Sequence, residues 1–415
     1  MKPPIRYRLA LLLLSPIIVI YIFISVFRRG GSWRFLRQRL GFTYSQNISN
    51  PIWLHAASVG EVNAALPLLL KLAHTYATDS LLVTTNTATA ATILQRKMPD
   101  HVQHCYLPLD FKNAVNRFLQ RHKPRCALIM ETELWPNLFY GCHQANIPIC
   151  IINARLSIKT LNAPSWTFPI LSYCLQPPIQ ILTRSEKDRQ KYLQLGALDE
   201  SINVVGNIKY ATSHATDPIT LDIDRPYVLA ASTHAGEEDL LLATWRKLDI
   251  KDHLLVMVPR YPERREEIIK LIQNYKFSYA VRSKDETVES NTQIYLADTM
   301  GELVSIMQGA TIVFMGGSLV PRGGQNIIEP ARLGKAIITG PHTFTFEEDV
   351  AALTSADAII QVKDASELAS QLRLLLQDRT LAERLGHNAG TFIATQANVL
   401  PRYLEQIENL LNDRS

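Results

Sequence analysis

The chain has 415 residues, of which 47% are hydrophobic and 20% are charged, and its formal net charge is +5 at pH 7. This length predicts two domains, and the apolar fraction excludes a disordered protein. The mild positive charge suits anionic ligands or an anionic membrane surface, and it is too small to indicate a nucleic-acid-binding protein. Five cysteines without a CxxC pair indicate reduced core residues rather than disulfides or metal ligands.

The first predicted element is a membrane-spanning helix at the N-terminus. Leu9–Phe27 is apolar except at Ser15, Pro16, Tyr21 and Ser25, and its length suffices to cross a bilayer. The larger basic cluster lies after this run, so the rest of the chain is expected on the cytoplasmic side of the membrane. The arginines before the run are Arg6 and Arg8, and those after it are Arg28, Arg29, Arg34, Arg37 and Arg39. A cleaved signal peptide is the alternative, but no small-residue cleavage site follows the run, which favours an uncleaved anchor.

Strand-like and helix-like segments alternate from Pro51 onward. Helical periodicity covers Glu61–Tyr76 and Phe111–Arg121, and such alternation predicts a parallel sheet flanked by helices. The strands predicted in the first half are Ile52–Ala56, Ser80–Thr85, Val102–Leu107, Cys126–Met130, Ile147–Asn153, Ile179–Leu182 and Ile202–Val205.

Residues 211–225 are polar, contain Pro218 and lack helical periodicity, so we expect them to link two domains. Asp222-Ile223-Asp224 matches the Asp-x-Asp pattern of metal-dependent sugar transferases, but its position in a linker argues against a metal site. The histidines show no ligand spacing either. The sequence therefore predicts neither a metal nor a cofactor.

The same alternation restarts after the linker and predicts a second doubly wound sheet. Its predicted strands are Tyr227–Ala231, Leu254–Val258, Tyr279–Val281, Ile294–Leu296, Thr311–Met315, Ala336–Thr339 and Ala358–Val362. Helices close the chain from Ser366 onward, with a kink expected at Pro401. The predicted organisation is an anchor (1–28), a Rossmann-like domain (29–210), the linker (211–225), a second Rossmann-like domain (226–395) and a final helix (396–415).

The glycine-rich stretch Met315–Gly334 is predicted to bind an anion. A strand ends at Gly316-Gly317-Ser318, and a short helix follows Asn326. Glycines let the backbone approach a ligand, and the free N–H groups of a first helical turn favour negative charge. Glu329 is then placed to accept hydrogen bonds from ribose hydroxyls. The alternative is an ordinary tight turn between a strand and a helix.

Charged residues also follow predicted strands of the first domain. Glu61 opens a helix, where a carboxylate can take a proton from a hydroxyl or simply complement the helix dipole. Glu131 follows a strand directly, and Glu133 reads as a first-turn residue of the next helix. Lys209 is placed to stabilise developing negative charge, although a solvated lysine at a domain edge is the commoner case.

In the second domain, Pro259-Arg260 follows a strand, and the guanidinium suits a phosphate. Asp298 reads as a helix N-cap, with a ligand contact through Met300–Glu302 as the alternative. His55 and His234 both stand at strand ends. A substrate contact and a core or capping role are equally open for each histidine.

These segments together resemble the 3-deoxy-D-manno-octulosonic acid (Kdo) transferases of lipopolysaccharide synthesis. The matching phrases run in the family's order from about residue 28 to 345 and are HAASVGE, ETELWPN, GNIKY, ASTHAGEE, PRYPER, DTMGEL, GGSLVPRGGQNIIEPA and GPHT. Several of these phrases are long and uncommon, so the resemblance is specific.

The resemblance implies a GT-B fold, in which two Rossmann-like domains face each other across a cleft. It implies inverting transfer of Kdo from CMP-Kdo to a lipid A precursor (lipid IVA) at the inner membrane, without a cofactor. Glu61 would be the general base, and Glu131 and Lys209 would stabilise the transition state. The implied CMP contacts are Pro259, Arg260, Met300, Gly301, Glu302, Asn326, Ile327, Ile328 and Glu329.

The chain departs from the family pattern at three places. Gln325 and Tyr261 stand where histidine is usual, and Tyr210-Ala211 replaces a usual Phe-Asp. These changes leave every residue assigned to chemistry in place, but they bear on donor affinity or acceptor choice. Two other functions stay open: a GT-B UDP-sugar transferase or epimerase, and a non-catalytic membrane-anchored sugar-nucleotide-binding relative. The predicted anchor argues against an epimerase, and the retained charged residues argue against a non-catalytic relative.

Overall fold

The computed structural model describes residues 2–28, 32–44, 50–76, 80–176, 178–211 and 223–412. It contains two compact units: the first comprises Met1–Ser213 and Gln396–Ser415, and the second comprises His214–Thr395. Most of the predicted linker, including Asp222 of the Asp-x-Asp pattern, lies outside the described residues, as does Arg29.

The first unit is built on a seven-stranded parallel sheet with the order β3-β2-β1-β4-β5-β6-β7. Every residue of β1, β2, β4 and β5 is buried, as expected for parallel strands covered by helices on both faces. The strands are β1 (Ile52–His55), β2 (Leu81–Thr85), β3 (Val102–Tyr106), β4 (Cys126–Met130), β5 (Ile149–Ala154), β6 (Ile179–Thr183) and β7 (Ile202–Val204).

Helices connect these strands and cover both faces of the sheet. Ser58, Thr87 and Ser185 each accept a backbone hydrogen bond at a helix start, which satisfies N–H groups that have no partner inside the helix. The helices are α1 (Ile5–Arg28), α2 (Trp33–Arg39), α3 (Val59–Thr75), α4 (Ala88–Lys97), α5 (Lys112–His122), α6 (Pro136–Gln144), α7 (Ile158–Leu161), α8 (Phe168–Tyr173) and α9 (Glu186–Gln194).

The second unit repeats this architecture with the strand order β10-β11-β9-β8-β12-β13-β14. Its strands are β8 (Tyr227–Thr233), β9 (Leu254–Pro259), β10 (Tyr279–Val281), β11 (Ile294–Leu296), β12 (Ile312–Met315), β13 (Ala336–Thr339) and β14 (Ile359–Gln361). Its helices are α10 (Glu237–Leu248), α11 (Arg265–Asn274), α12 (Leu303–Gly309), α13 (Ile328–Arg332), α14 (Glu347–Ser355), α15 (Ala365–Gln377) and α16 (Arg379–Ala397).

The last helix, α17 (Val399–Asn412), returns to the first unit. The buried Tyr403 hydroxyl donates to the Gly206 carbonyl at 2.9 Å and accepts from the Asn153 N–H at 3.1 Å. Pro401 lies in the first turn of α17, where its missing N–H is tolerated. The kink expected at Pro401 takes the form of a break between α16 and α17, three residues before the proline, because Pro401 cannot donate to the carbonyl four residues back.

All fourteen predicted strands are confirmed within about two residues at each end, and the predicted pair of Rossmann-like sheets is confirmed with them. The N-terminal apolar stretch lies within α1. Across the residues that the structure describes, no helix has the length and apolar character needed to cross a membrane. The anchor predicted over Leu9–Phe27 therefore stays a prediction.

Candidate active site

In each sheet the first strand in chain order lies at a switch point, with the earlier strands of the sheet on one side of it and the later strands on the other. In the first sheet β1 pairs with both β2 and β4, and in the second sheet β8 pairs with both β9 and β12. In open parallel sheets, ligands bind outside the carboxyl ends of the strands at such a switch point. Glu61 and Glu131 follow β1 and β4, and the Gly316-Gly317 turn follows β12. The predicted site residues therefore lie at the two expected edges.

Glu61 lies half-buried in the first turn of α3, at the helix start where it was predicted. Its carboxylate accepts hydrogen bonds from the Ala57 N–H at 2.8 Å and from the Ser58 hydroxyl at 2.9 Å, while Ser58 Oγ accepts from the Glu61 N–H. This reciprocal pattern is a variant of the capping box, in which the Ala57 N–H replaces the N–H of the N-cap residue Ser58. It uses two of the roughly four acceptor positions of the carboxylate, so Glu61 can still receive a proton from a ligand.

The surroundings of Glu61 also favour a base. Burial raises the pKa of Glu61 above its usual range, because the charged form loses solvation. The charges of Glu131 and Glu133 raise the pKa further, and the hydrogen bonds from Ala57 and Ser58 oppose the shift. A carboxylate with a raised pKa is a better proton acceptor near neutral pH.

Glu131 is held rigidly at the end of β4. Its backbone has the left-handed φ of 57°, which is costly for a residue with a side chain and typical of functional sites. Its carboxylate accepts from the Arg155 guanidinium at 2.7 Å, and its carbonyl accepts from the Tyr192 hydroxyl at 3.1 Å. Arg155 was not predicted, although it follows β5 directly as Glu131 follows β4.

Glu133 forms the centre of a polar network next to Glu131. Its Oε2 accepts from Trp135 Nε1 at 2.8 Å and from Asn86 Nδ2 at 3.2 Å, and it lies 3.6 Å from His55 Nε2. Arg39 donates to Asn86 from the other side. Burial opposes ionisation of Glu133, but the contacts with His55, Trp135 and Arg39 outweigh it and lower the pKa. The interpretation of Glu133 as a first-turn helix residue is wrong, because α6 begins three residues later.

The N-terminus of α6 is capped by Asp110 instead. The Asp110 carboxylate accepts from the backbone N–H groups of Asn137 and Leu138 at 2.8 and 2.7 Å, and from the Tyr7 hydroxyl at 2.6 Å. Burial raises the pKa of Asp110 to about 6, against the effect of these hydrogen bonds. Asp110 therefore connects α1 to the helix that follows the Glu131–Trp135 segment.

His55 is fully buried, and its Nδ1 contacts Thr84 Oγ1 at 2.9 Å, so its role is in the core. Lys209 is half-buried on a short helical turn, Ile208–Ala211. Asn207 Oδ1 accepts from the Lys209 N–H at 3.1 Å, and Asn153 Oδ1 accepts from the Ile208 N–H at 3.1 Å. The backbone of Lys209 is therefore fixed in the first unit.

In the second unit, the N–H groups of the glycine turn bind a carboxylate of the protein itself, where an anionic ligand was predicted. The fully buried Glu237 carboxylate accepts from the backbone N–H groups of His234, Gly317, Ser318 and Leu319 at 3.0, 2.6, 2.9 and 2.8 Å. Four internal donors satisfy this carboxylate. The interpretation of this turn as a ligand site is therefore corrected, because Glu237 engages the N–H groups of Gly317, Ser318 and Leu319.

Asn326–Glu329 lie after this turn, at the start of the short helix α13. Asn326 Oδ1 accepts from the Ile328 N–H at 3.1 Å. Ile327 and Ile328 are buried, while Asn326 and Glu329 are partly accessible. A ligand can therefore reach this segment through the Asn326 and Glu329 side chains.

Pro259 is the last residue of β9, and the exposed Arg260 follows it. Met300 is also exposed, and Gly301 has a φ of 90°. The Glu302 carboxylate already has a partner within the protein, since it accepts a hydrogen bond from Arg282 Nη2 at 2.9 Å. This bond holds the pKa of Glu302 below its usual range despite burial.

The predicted capping role of Asp298 is wrong. The N-cap position of α12 is Glu302, and the Asp298 carboxylate accepts from the Ser283 N–H at 2.9 Å and from its hydroxyl at 2.6 Å. Asp298 therefore fixes the loop after β10 instead of starting α12.

Two of the departures from the family pattern contact the same histidine. Gln325 Nε2 lies 3.0 Å from His234 Nε2, and the Tyr261 ring packs edge-on against the His234 ring with 5.6 Å between centroids. Burial lowers the pKa of His234. Within the described ranges, no three His, Cys, Asp or Glu side chains form a group able to hold a metal ion. The five cysteines are buried and form no disulfide.

Comparison with known proteins identifies relatives that align with nearly the whole chain. A family model described as 3-deoxy-D-manno-octulosonic-acid transferase (kdotransferase) matches residues 34–212. A 3-deoxy-D-manno-octulosonic acid transferase from Haemophilus influenzae is 34% identical over 98% of both chains. One from Bordetella pertussis is 30% identical over 98% of this chain and 99% of its own.

Among solved structures, a putative UDP-N-acetylglucosamine 2-epimerase from Listeria monocytogenes superposes with a TM-score of 0.60. It covers 89% of this chain and 98% of its own, at 14% sequence identity. At this identity the likeness concerns the fold alone.

Proposed function

Because the chain belongs to the 3-deoxy-D-manno-octulosonic acid (Kdo) transferase family, we propose that it transfers Kdo from CMP-Kdo to the lipid A precursor lipid IVA, with inversion at the anomeric carbon. Kdo transfer in lipopolysaccharide synthesis follows from the family. The donor nucleotide, the acceptor, the stereochemistry and the residue roles are the proposal. In it, residues 29–210 bind the acceptor and residues 226–395 bind the donor.

Glu61 is the general base. It removes the proton from an acceptor hydroxyl as that oxygen bonds to the anomeric carbon of Kdo, and the bond from this carbon to the phosphate oxygen breaks. The observation that carries this role is a half-buried carboxylate at the switch point of the first sheet, with a pKa raised by burial and by two neighbouring carboxylates.

Glu131 and Lys209 stabilise the transition state. The left-handed backbone of Glu131 and the Arg155 contact fix its carboxylate, and a fixed charge needs no reorganisation during the reaction. The positive charge of Lys209 suits the negative charge that develops on the leaving group. The two backbone segments that carry these residues are held by hydrogen bonds within the first unit.

The second unit binds CMP through Pro259–Arg260, Met300–Glu302 and Asn326–Glu329. The exposed Arg260 guanidinium suits the phosphate, because its planar fork of donors matches phosphate oxygens. CMP leaves as a stable phosphate monoester, so this mechanism assigns no step to a metal.

Product analysis tests this function. Purified full-length protein is incubated with CMP-Kdo and a tetraacylated lipid A precursor, and the lipid is analysed by mass spectrometry. We expect the mass of the acceptor to increase by one or more Kdo residues, with release of CMP. UDP-sugars serve as control donors. Transfer from a UDP-sugar, or release of CMP without a modified lipid, would contradict the proposal.

The proposal also includes a position at the cytoplasmic side of the inner membrane, held by α1. The Tyr7–Asp110 hydrogen bond ties the start of α1 to the first unit. Basic residues of α2 suit anionic lipid headgroups. Among the α1 side chains that the structure describes, the exposed large apolar ones are Ile5, Leu9, Leu12, Leu13, Leu14, Ile17, Ile20, Phe23 and Ile24.

Charge introduced into this apolar surface tests the membrane position. We expect the double substitution Leu13→Glu and Ile17→Glu to abolish flotation of the protein with anionic phospholipid vesicles, because buried charge in a bilayer is unfavourable. Leu198→Glu, at an exposed leucine of the first unit, is the matched control and should float normally. Normal flotation of the double variant would exclude α1 as the anchor.

A further inference from the structure

Trp135 is an exposed tryptophan next to the proposed catalytic carboxylates. It lies four residues after Glu131, in the segment between β4 and α6, and it is 39% exposed. Tryptophan side chains are highly buried on average, and exposed tryptophans are enriched at contact surfaces. Trp53 and Trp245 are buried, while Trp33 and Trp166 are also exposed but lie outside the strand-end segments that carry the proposed catalytic residues.

The ring of Trp135 is fixed although it is exposed. Its indole N–H donates to Glu133 Oε2 at 2.8 Å, and Glu133 is itself held by Asn86 and lies close to the buried His55. Because Pro136 follows, the Trp135 backbone is restricted to the extended conformation that it adopts, with φ −104° and ψ 106°. A fixed aromatic ring loses little conformational entropy when a ligand binds.

Other polar groups that suit a sugar follow the carboxyl ends of β2, β4 and β5. The Glu131 carboxylate, the Asn86 amide and the partly exposed Arg155 guanidinium lie on the same sheet edge. Sites for polar ligands combine an apolar surface with a few placed donors and acceptors. A pyranose needs this combination, because its C–H face is apolar and its hydroxyls point outward around the ring.

From this arrangement we propose that the Trp135 ring is the platform on which a pyranose ring of the acceptor stacks beside Glu61. The inference rests on the proposed function, since it assigns the acceptor's sugar to the first unit. In it, Glu133 is a positioning residue that acts through the indole N–H, and Trp135 selects acceptors that present a hexosamine ring.

Direct binding tests the platform without the transfer reaction. An acyl-free bisphosphorylated glucosamine disaccharide and CMP are titrated separately into the full-length protein by isothermal titration calorimetry. We expect Trp135→Ala to raise the Kd of the disaccharide about five- to tenfold, as lost aromatic contacts do, and to leave the Kd of CMP unchanged. Trp135→Phe, which keeps a ring but loses the N–H, should fall between Trp135→Ala and the native protein.

Phe42→Ala is the matched control, because Phe42 is an exposed ring of the same unit with its own cation contact, Arg117. It should change neither Kd. An unchanged disaccharide Kd in Trp135→Ala, no binding of the disaccharide to the native protein, or a loss of CMP affinity instead would overturn the platform.

The two proposals fail separately. If the native protein modifies the lipid but Trp135→Ala binds the disaccharide normally, the platform is wrong and the proposed function stands. If the disaccharide binds through Trp135 but no lipid product forms from CMP-Kdo, the platform stands and the proposed function is wrong.

Discussion

Both units are built on a seven-stranded parallel sheet, but the carboxylates in the first turn after their first strands serve opposite purposes. Glu61 and Glu237 both lie in the first turn of the helix that follows the first strand of their unit, β1 or β8. Glu61 is half-buried and accepts two hydrogen bonds from its own helix start. Glu237 is fully buried and accepts four backbone N–H groups, three of them from the glycine turn after β12.

This difference shows that position after a strand does not define the role of a carboxylate. The number of internal donors does, because a carboxylate with four donors has no acceptor position left for a ligand. By the number of internal donors, Glu61 can still accept a proton from a ligand. Glu237 instead joins the turn before α10 to the glycine turn after β12. Asp110 belongs with Glu237, since it accepts two backbone N–H groups and one hydroxyl.

The largest expected effect is on turnover, at Glu61. Glu61→Gln removes the proton acceptor but keeps an oxygen for the capping box, so we expect kcat to fall about 10²- to 10⁴-fold with little change in stability. Transfer assays with saturating CMP-Kdo measure the effect. Ser58→Ala is the control: it removes the cap, costs about 1 kcal/mol of stability and should preserve most of the turnover. Near-normal turnover of Glu61→Gln would end its assignment as the base.

The next effect is on stability, at Glu237. Glu237→Ala leaves four backbone N–H groups without their acceptor, and we expect the free energy of unfolding to fall by about 3 to 5 kcal/mol. Urea unfolding monitored by circular dichroism measures this loss. Glu347→Ala, at an exposed glutamate that opens α14, is the matched control and should change stability little. If Glu237→Ala lost activity without losing stability, Glu237 would be a functional residue and not a structural one.

A smaller effect depends on pH, at Asp110. Its pKa in the folded protein is about 6, above that of an unfolded aspartate. Folding therefore favours the protonated form, so its contribution to stability is present below about pH 4 and is lost as the pH rises through about 6. The shift corresponds to about 3 kcal/mol.

Asp110→Asn, which does not ionise, should remove this dependence. We expect the native protein to lose about 3 kcal/mol of stability relative to the variant between pH 4 and pH 7, measured by urea unfolding at several pH values. Asp100→Asn, at an exposed aspartate of the same unit, should give a curve parallel to that of the native protein. A parallel curve for Asp110→Asn would show that Asp110 does not titrate with folding.

The sheets could be predicted from the sequence because their signal is local. Strands buried on both faces are short continuous apolar runs, and segments such as Cys126–Met130 and Ala336–Thr339 match the observed strands residue for residue. Helix starts were harder. Asp298 is of a residue type that often caps helices, but its side chain binds Ser283 in another loop. No local sequence pattern shows this contact.

The candidate site could be predicted only in part. Ligand sites lie at the carboxyl ends of parallel strands, and this rule predicts the positions of Glu61 and Glu131 at the switch point. Applied to β5, the same rule would also have found Arg155. Glu237 was missed because its partners lie about 80 residues further along the chain. Arg39 was read as one of the basic residues that orient the anchor, although its side chain reaches into the Glu133 network.

The return of α17 to the first unit determines how the protein can be divided. The second unit is an uninterrupted segment, His214–Thr395, inserted into a first unit whose sequence is split in two. A fragment that stops before the insertion would lack Tyr403 and leave the Asn153 N–H and the Gly206 carbonyl without their shared hydroxyl. Chimeras between relatives should therefore exchange the inserted segment alone and keep both ends of the chain from one parent.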